Sequence, residues 1–364
     1  LAGNLADSVI TEEQLEAAVC VAAWCVEHPE MNVGLEGVKG HRDYTETVCP
    51  GWQTGWRERF YMRLREVLGV GLEPVPELGR PLLVGLHDEA GGAWMRDQGM
   101  RGVCLVHRQV QREPVALDMR YLRDTGITVI GRLNWGYADG TGTLPRPEDA
   151  EAFVDAVVQT MEDSRGVDYW HVGNEPNNRG EWPEGFELTP AYVVELYNAI
   201  WEQVYVHTLM GPPPLDPYFG PGSDNRVWRE AIWGGIHGAD ALFLHAKTQT
   251  NDPAEVWSEE RFQDDPLRWQ YLHLRTVETS LEQVGKWSGD LPVFVTECNP
   301  QHEVAIGGSL GWVEGNADWI HEACRYLRGK VDGVCFYRYE MAGDQEAFGI
   351  ERMPEILDAI KAEA

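Results

Sequence analysis

The chain is short of basic residues and of long apolar stretches. Lys and Arg number 30 against 59 Asp and Glu, which gives a formal net charge of −29 over 364 residues. Nucleic acids and anionic lipids are bound through basic patches, so this charge argues against both as partners. No run approaches the roughly 18 apolar residues that a membrane span requires. We therefore expect no nucleic-acid partner and no membrane span.

A cysteine framework is also missing. The seven cysteines form an odd, scattered set at positions 20, 25, 49, 104, 298, 324 and 335. Cys20, Cys104 and Cys335 lie within apolar runs, where cysteine behaves as a small buried hydrophobe. The pattern predicts free thiols formed in a reducing compartment. There is no starting Met and no signal peptide. The first residues look like the end of a strand already under way, so the localisation stays open.

Aromatic residues are plentiful, with fifteen Trp and thirteen Tyr. Aromatic rings stack on the apolar faces of sugar rings, although most Trp side chains belong to a core. The count is a weak indication of a carbohydrate ligand.

The composition changes near residue 69. Residues 11–28 predict an amphipathic helix with Thr11 as its N-cap, and a second helix is expected over 55–67. The following stretch, GVGLEPVPELGRP, is rich in Gly and Pro and predicts a linker over 69–80. We therefore divide the chain into a segment 1–68, this linker, and a larger domain over 81–364.

The larger domain alternates short β-rich runs with helical runs. Helical patterns are clearest at 147–164, 189–203, 264–284, 315–328 and 353–362. Eight such units match the usual size of a (β/α)8 TIM barrel, so the predicted fold class is α/β with this barrel after a partial α/β segment. A doubly wound sheet is the competing α/β fold, but no Gly-rich phosphate turn follows the first strand. The predicted strands are 81–87, 102–107, 126–133, 167–173, 204–210, 241–246, 292–296 and 333–338.

A Glu follows two of these strands. The fourth ends in HVGNEPNN with Glu175, and the seventh ends in VFVTECNP with Glu297. In such barrels the chemistry occurs at the C-terminal ends of the strands. Two carboxyls reaching inward from opposite sides can bracket a sugar ring, and a separation of roughly 5–5.5 Å is that of a retaining glycosidase. A lone Glu in such a place also suits a surface loop or a helix N-terminus.

The two motifs resemble the paired motifs of clan A, a large group of retaining barrel glycosidases. The resemblance implies that Glu175 is the acid/base and Glu297 the nucleophile, and that Asn174 binds the sugar 2-hydroxyl. A general acid must hold its proton near the working pH, and the charge of Glu297 acts in that direction. We therefore expect Glu175 to have the higher pKa of the two.

Other residues at the predicted strand ends fit the same resemblance. Arg132 and Asn134 end the third strand, where clan A enzymes bind the sugar or steady the nucleophile. An Arg paired with an acidic loop is the alternative. His245 resembles a sixth-strand His of some clan A families, but Lys247 replaces the aromatic residue that often follows it.

An aromatic platform is expected near the eighth strand. Tyr337 stands where the family usually has a Trp, and Trp135 or Trp312 are alternative platforms. His87 and Asp88 close the first strand, where they bind sugar hydroxyls or serve an ordinary loop role.

The first segment carries a separate motif, GHRDYTETVCPG, with His41 and Cys49. Imidazole and thiolate are good zinc ligands, although a buried His and a free Cys are the usual alternative. The surroundings resemble the final half of zinc-dependent N-acetylmuramoyl-L-alanine amidases, the fold of peptidoglycan recognition proteins. That resemblance makes His41 and Cys49 two of three ligands. The first ligand, a His, would lie upstream, so we expect an incomplete zinc site and no amidase activity.

These patterns together predict a retaining glycoside hydrolase that acts on a β-linked glycan outside the cell. The amidase-like neighbour favours a cell-wall polysaccharide or peptidoglycan as substrate, an argument from association. No cofactor is expected for the barrel. Two alternatives stay open: a non-catalytic wall-binding barrel attached to a zinc amidase, and a zinc amidase with an accessory barrel.

Overall fold

The computed structural model describes residues 81–137, 140–204, 208–218, 225–263, 267–289, 291–304, 308–313, 315–340 and 348–364. They belong to one compact unit, Gly79–Ala364. The predicted amidase-like segment, with His41 and Cys49, and the predicted linker lie outside these residues. Within the described ranges, no helix is long and apolar enough to cross a membrane.

The described residues form nine strands, β1 to β9 in chain order. Seven of them form one parallel sheet in the order β4-β3-β2-β1-β9-β6-β5, which curls into a barrel wall, and β7 and β8 form a small antiparallel pair. The predicted barrel fold is confirmed. The strands are β1 Leu83–His87, β2 Val103–Gln109, β3 Thr128–Asn134, β4 Tyr169–Val172, β5 Leu242–Thr248, β6 Val293–Pro300, β7 His302–Val304, β8 Gly308–Leu310 and β9 Gly333–Phe336.

Helices connect the strands and cover the outside of the sheet. They are α1 Glu89–Asp97, α2 Arg120–Arg123, α3 Ala150–Asp163, α4 Pro190–Val204, α5 Asn225–Gly235, α6 Thr276–Ser288, α7 Ala317–Leu327 and α8 Pro354–Glu363. Four of the five predicted helices have nearly the expected bounds, whereas the one predicted over 264–284 begins only at Thr276.

Helix α1 was not predicted because it contains Gly91 and Gly92, which weaken helix propensity. Close packing requires both glycines. A Cβ on Gly91 would lie 2.9 Å from the Cβ of Leu86, and one on Gly92 would lie 2.7 Å from Sγ of Cys104.

Among the described residues between β4 and β5, the wall has no regular strand. The strand predicted over 204–210 is wrong in its bounds, because Val204 is the last residue of α4. Met210 forms a single parallel bridge with Trp170, and its carbonyl accepts a hydrogen bond of 2.7 Å from the Asp240 amide. The three prolines at 212–214 have no N–H to donate, so the ladder cannot continue. An extended segment thus takes the fifth position of the barrel.

Buried apolar side chains form two cores, one on each face of the sheet. The larger core lies between the sheet and the helices, while a smaller one lies inside the wall. Successive strand residues point to opposite faces, which explains why neighbouring residues belong to different cores. The buried interior residues are Val103, Leu105, Ile130, Ala241, Phe243, Phe294 and Cys335, with Leu83 and Tyr169 packed against them.

The same alternation places polar side chains above this apolar plug. Two residues beyond Leu105, the inward side chain is His107; beyond Ile130 it is Arg132. Other strands follow the rule with His87, His171, His245 and Tyr337. The C-terminal mouth is therefore polar, because the inward-facing residues of these strands change from apolar to polar at the C-terminal ends of the strands. The described cysteines, Cys104, Cys298, Cys324 and Cys335, are free and buried, as expected.

Candidate active site

A cavity of about 920 Å³ opens at the C-terminal ends of the strands. Its wall is mostly polar, and it takes residues from β1, β2, β3, β5 and β6 and from the loops that follow them. The lining includes His87, Asp88, His107, Arg108, Arg132, Tyr137, Asn174, Glu175, Glu181, Lys247, Glu297, Asn299, Tyr337, Arg338 and Glu340.

Glu175 enters this cavity from the turn after β4. Its backbone has a φ of +39°, a left-handed conformation that is unfavourable for a residue with a side chain. The turn is fixed because the Glu175 amide donates a hydrogen bond of 3.1 Å to the carbonyl of Pro214. The irregular segment at the fifth barrel position therefore holds the backbone of this Glu.

The Glu175 carboxylate is surrounded by donors. His245 Nδ1 lies 2.6 Å from its Oε1, and the Lys247 ammonium donates to the same oxygen at 3.2 Å. Asn178 Nδ2 approaches Oε2 at 3.3 Å and also donates to Asp216 at 3.0 Å. Only 4% of Glu175 is exposed, so these contacts replace most of its hydration.

Glu297 faces inward because of a bulge in β6. Leu244 pairs with Val295, but the next residue, His245, pairs with Glu297, so one extra residue interrupts the register. Strict alternation from the inward Phe294 would point Glu297 outward. The extra residue changes the parity and turns its side chain into the barrel.

Arg132 connects the Glu297 carboxylate to three other strands. One guanidinium nitrogen donates to Glu297 Oε1 at 2.6 Å and to the side-chain Oδ1 of Asn174 at 2.8 Å. The other lies 3.0 Å from His87 Nε2. Because Arg can only donate, His87 accepts here as a neutral imidazole. Burial, with the Arg132 charge, lowers the pKa of His87 well below its ordinary value.

The two carboxylates lie close together. An oxygen of Glu175, one of Glu297 and a nitrogen of His245 all lie within 4.8 Å of one another. This set has the donor types of a metal site, but each carboxylate already has a cation of its own. Lys247 neutralises Glu175, and Arg132 neutralises Glu297. A divalent ion would have to displace two buried cations, so the donor set fits a metal poorly.

Glu175 does not have the raised pKa expected of a general acid. Burial would raise the pKa of its carboxyl, but the Lys247 charge and the His245 contact outweigh burial and hold it below its ordinary range. The prediction considered only the negative charge of Glu297. The sequence did not show that Lys247 points at Glu175.

Two other carboxyls near the pair have raised pKa values. Burial, with the charge of Glu175, raises the pKa of Glu181 to about 8 and that of Asp216 to about 7. Asn174 hydrogen bonds Glu181, whose Oε2 is buried and has no partner among the described residues. Near neutral pH the cavity thus contains carboxyls in both protonation states.

The structure brings most of the predicted site residues together. Glu175, Glu297, Asn174, Arg132 and Tyr337 line the cavity, and His245 contacts both carboxylates.

Two predicted sugar contacts lie elsewhere. Asn134 is fully buried, and its amide atoms have no partner among the described residues. Trp135 packs edge-to-face on Phe153, with ring centroids 5.9 Å apart. The alternative platform Trp312 is 4% exposed, and its indole N–H donates to the Tyr337 carbonyl.

Sequence reasoning missed several residues of the site as functional candidates, among them Lys247, Glu181, Tyr137 and Asp216. Lys247 was noted only as a departure from the family pattern, and its inward position follows from alternation with His245. Glu181 lies six residues after Glu175 in the same loop, as part of the 3-10 turn Arg179–Glu181. Tyr137 and Asp216 lie in loops that gave no signal.

No family model and no curated protein matches the sequence. Solved structures are similar in fold. A glucosidase from Croceicoccus marinus has a TM-score of 0.53 and 14% identity, over 79% of this chain and 68% of its own. An endo-β-1,3-glucanase from Amycolatopsis mediterranei in complex with laminaritriose has a TM-score of 0.45 and 13% identity, over 79% and 100%. A GH5 family lichenase from Caldicellulosiruptor sp. F32 has a TM-score of 0.45 and 12% identity, over 75% and 82%.

Proposed function

We propose that the barrel, residues 81–364, is a retaining glycoside hydrolase acting on a β-linked glycan. One observation carries the proposal: two buried carboxylates from opposite sides of the barrel approach within 4.8 Å at the floor of a large polar cavity. Retaining enzymes have carboxyls about 5–5.5 Å apart, whereas inverting enzymes need about 6.5–9.5 Å to admit a water. The fold shared with the Croceicoccus marinus glucosidase agrees with this assignment.

In this proposal Glu297 attacks the anomeric carbon while protonated Glu175 gives its proton to the leaving oxygen. The glycosidic bond breaks, and a glycosyl ester forms on Glu297. Glu175, now ionised, then takes a proton from water, whose oxygen attacks the same carbon and releases Glu297. The sugar leaves with its original anomeric configuration.

The cations beside the two carboxylates have distinct effects. Arg132 fixes the orientation of Glu297 and keeps it ionised as the nucleophile. Lys247 favours ionised Glu175, which assists the second step but leaves little proton for the first at neutral pH. We therefore propose an acidic pH optimum, with Glu175 protonated only toward low pH.

The test is a screen of the purified protein against soluble β-1,3-glucan, mixed-linkage β-glucan, cellulose oligosaccharides and peptidoglycan, from pH 3 to 8. Reducing ends should appear on at least one polysaccharide. Proton NMR of the first product should show the β-anomer before mutarotation, as retention requires. An initial α-anomer from a β-linked substrate would contradict the retaining mechanism.

Glu297→Gln is the matched variant, because it keeps the shape of the side chain and a hydrogen-bond acceptor for Arg132. It should lower kcat by at least about 10³-fold, since no glycosyl ester can form. Glu363→Gln is the control, because Glu363 lies at the end of α8 and pairs with Arg328. Equal activity of Glu297→Gln and the parent would exclude this nucleophile. Glycan binding without hydrolysis at any pH would favour the wall-binding alternative.

We propose a cell-wall polysaccharide or peptidoglycan as the natural substrate, on sequence grounds alone. The support is the amidase-like motif of residues 1–68, with His41 and Cys49 as zinc ligands. If this proposal is correct, peptidoglycan should be cleaved faster than the plant-type glucans in the same screen.

A further inference from the structure

The described residues contain two exposed aromatic side chains, Tyr137 at 43% and Trp257 at 40%. Tyr137 lines the cavity above the carboxylate pair, whereas Trp257 does not. An exposed aromatic side chain costs solvation free energy, so one that is held at the wall of a polar cavity requires an explanation.

The other aromatic residues of the cavity are already packed. Tyr337 lies edge-to-face on His87 at 4.8 Å and on Phe348 at 5.7 Å, measured between ring centroids. Phe348 itself is 9% exposed. Tyr137 has one recorded ring contact, with His107 at 5.1 Å and an interplanar angle of 68°. An edge-to-face contact covers at most one face of a ring, so at least one face of Tyr137 is free of an aromatic partner.

Backbone hydrogen bonds fix the two residues that precede Tyr137. The Trp135 amide donates to the Thr143 carbonyl at 2.8 Å, and the Gly136 amide donates to the Gly142 carbonyl at 3.0 Å. These two hydrogen bonds join the residues just before Tyr137 to Gly142 and Thr143. Arg132, Glu181 and Glu297 line the same cavity as Tyr137. The ring is thus held at the cavity wall, exposed, in the same cavity as the carboxylate pair.

We propose that Tyr137 is the sugar-stacking platform of this site, and that its free face packs on a pyranose ring of the bound glycan. The inference rests on the proposed hydrolase function and deepens it. Apolar C–H faces of sugars pack on aromatic rings, and the burial of exposed ring surface stabilises the complex. His107, whose Nε2 is buried without a partner among the described residues, supports the other side or edge of the ring.

Tyr137→Ala and Tyr137→Phe test the proposal on the glycan that the parent cleaves best. Tyr137→Ala removes the platform and should lower kcat/KM by about 10- to 30-fold, mainly through a higher KM. Tyr137→Phe retains the ring and should stay within about 3-fold of the parent. Trp257→Ala is the control, because Trp257 is equally exposed but lies under Arg325, which is 4.9 Å from its ring centroid. It should leave kcat/KM unchanged.

The outcomes separate this inference from the function on which it rests. If the parent cleaves a glycan and Tyr137→Ala has the same KM, the platform is wrong while the hydrolase stands. If Tyr137→Phe loses as much as Tyr137→Ala, the hydroxyl and not the ring is recognised, which also overturns stacking. If the parent cleaves nothing, affinity electrophoresis in gels containing each polysaccharide replaces the kinetics. Retardation that Tyr137→Ala abolishes supports the platform, and absence of any retardation of the parent overturns both proposals.

Discussion

Replacement of Lys247 by Met tests the electrostatics of the site most directly. The ammonium lies 3.2 Å from Glu175 Oε1, and 13% of the Lys side chain is exposed. At an effective dielectric of about 20, two unit charges at this distance attract by about 5 kcal/mol, an upper limit. Opposite charges in such contact usually change a carboxyl pKa by about one to three pH units. Met has a similar length and no charge, so it removes this attraction with little change of volume.

The sign of the effect follows from the role of Glu175. The ammonium lowers the pKa of this carboxyl, so its protonated fraction at neutral pH is small. After the replacement, burial and the charge of Asp216 still oppose the ionised form, while the contacts with His245 and Asn178 still favour it. Glu175 then retains its proton to higher pH. The alkaline limb of the kcat/KM profile should move upward by about one to three pH units.

The assay is the pH dependence of kcat/KM from pH 3 to 9, compared with two controls. Lys247→Arg retains the charge and should leave the limb near its parental position. Lys361→Met removes an exposed ammonium that hydrogen bonds Gln98, far along the chain from the site, and should change nothing. The limb position does not depend on the amount of active protein, so partial unfolding of a variant does not obscure it. An alkaline limb that stays in place, or moves downward, in Lys247→Met would refute the reasoning.

Three further outcomes are expected. Glu175→Ala should lower the rate of hydrolysis of natural glycan by about 10²- to 10⁴-fold. It should spare the first step on activated aryl glycosides, because their leaving group needs little protonation. Equal losses on both substrates in a pre-steady-state burst assay would contradict the acid role. Glu181→Gln should raise the melting temperature at pH 8.5 and not at pH 4. Burial raises the Glu181 pKa from 4.5 to about 8, so the free energy of unfolding of the parent falls by up to about 5 kcal/mol as the pH rises between these values. Equal melting temperatures of the parent and the variant at pH 8.5 would argue against this. If His41 and Cys49 are zinc ligands as proposed, they are two where a site needs three, so metal analysis after dialysis should find less than one zinc per chain; one tightly held zinc would contradict this ligand count.

The barrel was predictable because buried parallel strands appear as continuous apolar runs. β2 and β3 were predicted to within about two residues on this basis. The run at 204–210 has the same composition, yet its first residue ends α4. Composition alone cannot decide whether an apolar run continues a helix or begins a strand. The three prolines at 212–214 were the available sign that a regular strand could not follow.

The carboxylate pair was predictable in identity but not in environment. Glu175 and Glu297 were found from their places after two strands, yet the inward direction of Glu297 depends on a bulge that has no sequence signature. Lys247 and Arg132 are brought to the pair by strands distant in the chain. Because pKa values depend on such distances, the electrostatics of the site required the three-dimensional arrangement.

The segment at the fifth barrel position determines which part of the barrel unfolds locally first. The neighbouring strands of the sheet pair in ladders, and between β2 and β3 seven residue pairs lie in register. Next to β4 one bridge at Met210 takes the place of a ladder, and three successive prolines contribute no amide proton. The described part of the wall has the fewest backbone pairs at this segment, so the amides of Trp170, Gly211 and Asp240 should exchange with deuterium sooner than those of β2. Since the Glu175 amide bonds the Pro214 carbonyl, each such opening also releases the backbone of Glu175. On heating, activity should therefore fail before the rest of the barrel unfolds.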